Sequence, residues 1–262
     1  MTISGTMVLR NVVKLDYPFE LAIKSLQALC DEVVVLVDPT SEDETIARIR
    51  KLSPDRIVES AWDMSNHNGH TNCEISVQTK KACAAATGDW IFSLQADEVL
   101  HEAEREATIG AVRRADGAGI TGLELERLYF YGSLSQYRAD WTIWLLRLFK
   151  RGHWQPDVDG AMRFDPCGPN KFRGSIAPKI YHYSRVGDPQ TIANRVRNLD
   201  TFFHAPSRVA PAAKPYDFTT LRKLDTYVVD RRVEIDPAAR LLSFPRTKHP
   251  KIVLESERFS NA

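Results

Sequence analysis

Thr87-Gly88-Asp89-Trp90-Ile91-Phe92-Ser93-Leu94-Gln95-Ala96-Asp97-Glu98 decides the reading of this chain. Trp90 to Leu94 is a short apolar run introduced by Gly-Asp, the pattern of a strand buried inside a sheet. It ends in a small acidic cluster. Carboxylates that leave a strand end together can hold a hard divalent cation, and such a cation can neutralise a diphosphate. The same cluster also serves as a plain strand-to-helix junction, so the rest of the chain has to decide between the two.

Upstream, strand and helix signals alternate. Met7 to Arg10 reads as a buried strand, and Asp16-Tyr17-Pro18 opens a helix whose apolar face is Leu21, Ala22, Ser25, Leu26 and Leu29. Glu32 to Val37 is β-branched and apolar, as a central parallel strand should be, and Thr40 to Glu44 is expected to begin a second helix. Arg56 to Glu59 makes a third strand, and Glu74 to Ala86 a third helix stopped by Gly88. Downstream, a helix is expected over 102–115, strands over 122–131, 144–150 and 176–183, and a helix over 191–203. Gly152 to Gly174 reads as irregular, and the Pro-rich stretch from Ala205 as an extended arm. The pattern predicts an α/β fold: an open, mostly parallel sheet flanked by helices, with a smaller mixed region and a C-terminal arm.

Bulk composition narrows the function. With 43% hydrophobic and 26% charged residues, the 262-residue chain is of ordinary globular type. A formal net charge of +1 argues against a general electrostatic grip on DNA or anionic lipid. No apolar run reaches the roughly 20 residues of a membrane span. Met1 to Thr6 has neither the basic nor the apolar region of an export signal, so a cytoplasmic protein is expected. Cys30, Cys73, Cys83 and Cys167 lack zinc-ribbon spacing and read as reduced thiols. His67, His70 and Cys73 stand three apart in an Asn/Gly-rich loop but lack a fourth ligand, and read as a polar loop.

Ligands of open α/β sheets sit beyond the carboxyl ends of the strands. Polar groups stand at three such ends: Arg10-Asn11, Asp38, and Gln95-Ala96-Asp97. Asp38 can accept hydrogen bonds from a base or ribose, or cap the helix that follows.

This order of motifs resembles the family 2 glycosyltransferases of the GT-A fold. The carrying residues are Asp38-Pro39-Thr40-Ser41-Glu42-Asp43-Glu44-Thr45 after the second strand and Gly88-Asp89-Trp90 to Asp97. More narrowly, the chain looks like a bacterial and phage branch with Gln-Ala-Asp-Glu in place of Asp-x-Asp. Asn68-Gly69, Gln78-Thr79, Phe130-Tyr131-Gly132-Ser133, Tyr181-His182-Tyr183 and Thr247-Lys248-His249-Pro250 fall in the order of that branch. The resemblance implies a GT-A domain over 1–204, with a nucleotide-sugar-binding half (1–100), an acceptor-binding half (101–204) and a C-terminal extension (205–262). It also implies an inverting transfer from a nucleotide-diphosphate sugar, a UDP-sugar, to an acceptor hydroxyl, with Mn²⁺ or Mg²⁺ as cofactor.

Carried over residue by residue, Asn11, Asp38, Gln95 and Ala96 become donor-binding, and Asp97 and His182 become metal ligands. Neutral imidazole suits a Mn²⁺-like ion. Gln95 departs from the family, which has a carboxylate there. A second departure is Ile143, where a related branch carries the catalytic base, four residues before Arg147-Leu148-Phe149. Asp140, Asp157 and Asp159 are the remaining candidates for that base, and Trp141, Trp144 and Trp154 are candidates for an acceptor-stacking wall, with core packing the expected role of at least one of them. A surface glycan is the expected acceptor, with a hydroxymethylated DNA base as the phage-type alternative. Two other classes are an inactive nucleotide-sugar-binding module and a nucleotidyltransferase. The second would need a Gly-rich, Arg-containing first loop that this chain lacks.

Overall fold

The computed structural model describes residues 1–66, 73–138, 143–154, 173–204, 206–209, 214–216 and 241–259. Its elements run β1 (Ile3–Leu9), α1 (Phe19–Leu29), β2 (Glu32–Val37), α2 (Thr45–Leu52), β3 (Arg56–Glu59), α3 (Glu74–Ala85), β4 (Trp90–Ser93) and β5 (Glu98–Leu100). They continue with α4 (Arg105–Gly117), β6 (Gly122–Gly132), β7 (Gln136–Arg138), β8 (Ile143–Lys150), β9 (Arg173–Val186), α5 (Pro189–Phe203), β10 (Leu241–Ser243) and α6 (Lys251–Leu254). This is an α/β fold built on one open sheet flanked by helices.

The first half supplies a parallel block in the order β4-β1-β2-β3. β1 and β2 sit inside it, which explains their near-continuous apolar sequences. β8 joins β4 antiparallel, β6 joins β8 antiparallel, and β9 runs parallel to β6. The short strands β5, β7 and β10 fill in at β9, β6 and β7.

Both faces of the sheet are packed. Phe19, Ile23 and Leu26 of α1 cover Met7, Leu9, Val35 and Phe92, and Val112 of α4 joins the same cluster. On the opposite face Cys83 and Ala86 meet Val34, Ile91, Leu146, Phe149 and Trp154. Gly88 lets β1 and the turn before β4 approach: a Cβ there would stand 2.7 Å from the backbone nitrogen of Ser4. Its own N–H donates to Ser4 Oγ at 2.8 Å.

The C-terminal segment is bound into the fold. Val253 and Phe259 are buried with Leu128, Phe130, Tyr181 and Tyr183. His249 bridges Tyr183 Oη through Nδ1 at 2.8 Å and the Leu134 carbonyl through Nε2 at 2.7 Å. Lys251 N–H donates to Glu102 at 2.9 Å.

One element starts later than its sequence suggests. α2 begins at Thr45 rather than near Thr40 because the intervening residues are used elsewhere. Asn11 Oδ1 accepts from Glu42 N–H at 2.8 Å, Asp43 accepts from Lys14 N–H at 2.7 Å, and Thr45 Oγ1 accepts from Val12 N–H at 3.0 Å. These bonds lash the turn to the end of β1, where Asn11 takes the left-handed φ of 51° that asparagine tolerates.

Candidate active site

A cleft of about 210 Å³ opens beyond the carboxyl ends of β1 and β4, bounded by the chain after β3 and by β6, β9 and α5. Arg10, Gln95, Ala96 and Asp97 come to it from the parallel block. Arg127 and Tyr129 reach it from β6, and His182, Ser184 and Arg185 from β9. Its position is the one open α/β sheets use for ligands.

Strand register brings its two central residues together. β5 pairs antiparallel with β9 so that Glu98 faces His182, and Tyr183 N–H donates to the Asp97 carbonyl at 2.9 Å. Asp97 Oδ1 then lies 3.5 Å from His182 Nε2, with both side chains nearly buried. Side chains alternate along β9. Tyr181 and Tyr183 therefore enter the core beside Phe130, while His182 and Ser184 face the cleft. Ser184 Oγ lies 3.3 Å from His182 Nδ1, and the Tyr129 ring packs on the imidazole with centroids 4.8 Å apart. The ring is thus held with Nε2 toward Asp97.

Burial shifts both groups. It raises the Asp97 carboxyl to about 6, with the neighbouring Glu98 charge adding to the effect. Burial also holds His182 well below its ordinary value, and Arg127, Arg185, Arg147 and Arg195 oppose a positive imidazole further. His182 is accordingly neutral near pH 7 and Asp97 mostly ionised. The 3.5 Å separation is long for a hydrogen bond and fits two ligand atoms sharing an ion at ~2.1 Å from each. The pair therefore fits a Mn²⁺- or Mg²⁺-type cation. Among the described residues no group of three or more His, Cys, Asp and Glu side chains is gathered, so further ligands would come from a diphosphate or water.

Four arginines line the cleft: Arg10, Arg127, Arg185 and Arg195. Arg10 is braced by Asp38, which accepts from its Nε at 2.8 Å. Arg195 donates to the carbonyls of Leu15, at 2.8 Å, and of Ser184, at 3.2 Å, which pins α5 to the β1–α1 loop and to β9. A register shift re-aims Arg185. Tyr129 pairs with His182 but Tyr131 pairs with Arg185, so β9 carries one extra residue and turns Arg185 to the cleft beside Ser184. Beneath the cleft, Arg147 donates to Glu98 at 2.8 Å, with both side chains fully buried. Glu98 in turn accepts from Gln95 N–H at 3.0 Å, which fixes the acidic turn.

The sequence-derived residues divide clearly. Gln95, Ala96, Asp97 and His182 line the cleft together. Asn11 and Asp38 do not; they shape its floor. Asp38 is fully buried, with Oδ2 on Arg10 and Oδ1 accepting from Thr40 N–H at 3.0 Å and Thr40 Oγ at 2.8 Å. Its capping role and its grip on Arg10 use both oxygens. Trp154, expected in an acceptor wall, is instead a core residue on the far face of the sheet, with Nε1 donating to Thr121 at 3.0 Å. Burial of its large apolar surface outweighs what an exposed stacking position would gain. Asp140, Trp141, Asp157 and Asp159 lie outside the described residues, as do His67, His70 and Cys167. Sequence reasoning missed Arg127, Arg185 and Arg195, and also Trp62 and Asn198, which line the cleft.

No family model matches the chain, and no curated protein matches it. Among solved structures it is similar to TarS 1-349 of S. aureus in complex with UDP, at 15% identity and a TM-score of 0.46, over 76% of this chain and 64% of that one. A second structure of S. aureus TarS matches at 14% identity and a TM-score of 0.46, over 76% of this chain and 39% of that one. Glucosyl-3-phosphoglycerate synthase from Mycobacterium tuberculosis, in complex with Mn²⁺, UDP and glucosyl-3-phosphoglycerate, matches at 20% identity and a TM-score of 0.35, over 51% of this chain and 46% of that one. The chain spans less than two thirds of the length of each, and likeness at this level carries nothing about its chemistry.

Proposed function

We propose that this protein is a metal-assisted, inverting glycosyltransferase. It takes a sugar from a nucleoside-diphosphate donor, a UDP-sugar, and passes it to an acceptor hydroxyl, with a surface glycan as the acceptor. The observation that carries the reading is the meeting of Asp97 and His182, 3.5 Å apart, in a cleft lined by four arginines at the carboxyl ends of the strands. The order of sequence motifs along residues 6–100 supports the same reading.

Asp97 Oδ1 and His182 Nε2 would hold a Mn²⁺ or Mg²⁺ ion. When bound, that ion supplies Lewis acidity for the leaving diphosphate. The chain's own residues do the rest. Arg127, Arg185 and the braced Arg10 present fixed positive charge to the diphosphate oxygens, where charge grows as the bond to the sugar breaks. The acceptor oxygen forms its bond to the anomeric carbon as the diphosphate leaves with the electron pair, and a carboxylate accepts the hydroxyl proton. Among the described residues Asp97 is the one acid lining the cleft, and it is committed to the ion. The base is therefore assigned to Asp140, Asp157 or Asp159. Residues 1–100 form the donor half in this scheme, and residues 101–204 the acceptor half.

The test is release of UDP from UDP-sugars, with and without acceptor, in Mn²⁺ and in EDTA. Metal-dependent release supports the reading. Binding of UDP without turnover makes the protein a binding module, and no binding of any nucleotide sugar removes the proposal.

A further inference from the structure

The loop between β1 and α1 lends both its ends to the cleft. Arg10 lines the cleft where β1 stops, and Tyr17 lines it just before α1 begins. Between them the loop closes on itself: Leu15 N–H donates to the Asn11 carbonyl at 3.0 Å, Asp16 N–H to the Val13 carbonyl at 2.9 Å and Tyr17 N–H to the Val12 carbonyl at 2.9 Å. Asp16 takes a left-handed φ of 53°, a conformation that an L-residue enters at a cost and keeps only when its surroundings hold it.

Two guanidiniums hold it. Nη2 of Arg195, from α5, and Nη2 of Arg258, from a short 3₁₀ turn over Glu257–Phe259, both donate to the Asp16 carbonyl. The Asp16 carboxylate bridges the same pair, with Oδ1 2.5 Å from Arg258 and Oδ2 3.4 Å from Arg195. The C-terminal segment is anchored without this contact. Arg246 donates to the Phe259 carbonyl at 2.7 Å, and the Phe259 ring is buried 5.3 Å from that of Tyr183. Arg258 is therefore not needed to dock its own segment; its reach to Asp16 acts on the loop.

Tyr17 stands next to this clamp, with the Arg195 guanidinium 5.0 Å over its ring. Its hydroxyl makes no hydrogen bond among the described residues. The groups whose charge bears on that hydroxyl are Asp97, Arg195, Arg185 and Tyr129, all of them residues of the cleft. Burial and the Asp97 charge keep the phenol protonated. It is thus offered as a neutral donor to a ligand held beside Asp97.

We infer that Arg258 of the C-terminal segment is a positioning residue for the cleft: with Arg195 it fixes Asp16, and Asp16 fixes the adjoining Tyr17 so that its hydroxyl meets the bound ligand. The inference rests on the nucleotide-sugar reading of the cleft and gives the C-terminal segment a part in it. A hydroxyl donor bonds only at about 2.5–3.0 Å from its acceptor, so a loop displaced by roughly an ångström forfeits the bond while the fold stays intact.

The experiment is calorimetric titration of the full chain with UDP in Mn²⁺, for wild type, Tyr17→Phe, Arg258→Ala and the double variant, with urea unfolding of each in the absence of ligand. Tyr17→Phe should weaken UDP by about 3- to 30-fold, the worth of one hydrogen bond. Arg258→Ala should weaken it by ~2-fold or more, but no further than Tyr17→Phe does. The double variant should match Tyr17→Phe alone, because the arginine acts through the tyrosine. The unfolding midpoint of Arg258→Ala should hardly move, since an ion pair to an exposed carboxylate adds little to stability. Unchanged UDP affinity in Tyr17→Phe or in Arg258→Ala overturns the inference, as do losses that multiply in the double variant. A wild type that binds no UDP overturns the glycosyltransferase reading itself, a distinct outcome. If Arg258→Ala does not fold, Asp16→Asn takes its place in the same cycle, since asparagine tolerates the left-handed φ but lacks the charge that both arginines hold.

Discussion

Glu98 stands directly opposite His182 in the β5–β9 pair, and this register delivers Asp97 Oδ1 to within 3.5 Å of His182 Nε2. A one-residue slip of either strand would turn the histidine to the other face and dissolve the site. Asp97→Ala is therefore expected to abolish the Mn²⁺-dependent part of UDP binding while the protein stays folded. Calorimetric titration of UDP with Mn²⁺ checks it, and full affinity in the variant would refute the ligand assignment.

The same carboxyl gives a pH signature in the metal-free protein. Its folded value, about 6, lies above the 3.8 of a free aspartate, so the protonated form is favoured by folding. The stability this confers is complete below pH ~4 and is lost as pH rises through about 6. Asp97→Asn removes the slope. In EDTA the variant should gain on the order of 1–3 kcal/mol over wild type between pH 4.5 and 7.5, read from urea unfolding. A difference that stays constant across that range would contradict a carboxyl raised by burial.

Much of this architecture is legible in the sequence. The runs that became β1, β2 and β4 are apolar on both faces because they lie inside the sheet, and that leaves a signal no exposed strand gives. Asp97 stands out because it follows the end of such a run, whereas His182, on β9, is named only through the family resemblance. Arg127 and Arg185 are hidden because an arginine in a strand reads as solvent-facing, and Arg195 reads the same way on its helix. What turns Arg185 inward is the extra residue in β9 against Tyr129 and Tyr131, a pairing event no local pattern encodes. β5, β7 and β10, each three residues long, are too short to show a period. Trp154 is a wall candidate beside an irregular polar stretch, yet Thr121 and Gly122 open a slot for its indole in the core.

The core position of Trp154 makes a prediction of its own. Trp154→Ala should cost about 3–5 kcal/mol, the size of a large buried aromatic truncation. The milder Trp154→Phe should lose the bond to Thr121 and leave the acceptor KM unchanged. A raised KM with unchanged stability would return Trp154 to the acceptor wall.

Beneath the site, Arg147 and Glu98 form a fully buried pair at 2.8 Å. Arg147→Met leaves a buried carboxylate without its main partner and should cost about 3–5 kcal/mol. Adding Glu98→Gln should recover much of that loss, since removal of both charges also removes the desolvation penalty. Urea unfolding of the single and double variants checks it; additive losses would mean that the two side chains act independently.

The base can be narrowed by topology. β8 begins at Ile143, which pairs with Arg127, a residue of the cleft wall. Asp140 precedes Ile143 by three positions, a reach of ~10 Å at most. The other candidates leave from the opposite end of the sheet. Trp154 packs against Gly122, five residues and roughly 17 Å along β6, at ~3.3 Å per residue, from Arg127 of the cleft wall. From Trp154 the chain can extend at most ~10 Å to Asp157, short of that span, and ~18 Å to Asp159, which covers it only when fully extended. Asp140→Asn is therefore expected to cut turnover by about 10²–10⁴-fold with donor binding intact. Asp157→Asn and Asp159→Asn should retain near wild-type rates. Side-by-side kinetics with a UDP-sugar and a competent acceptor decide it. Loss in either of the latter two, with Asp140→Asn active, would place the base on the far side of β8 and require the chain after Trp154 to fold back over the sheet.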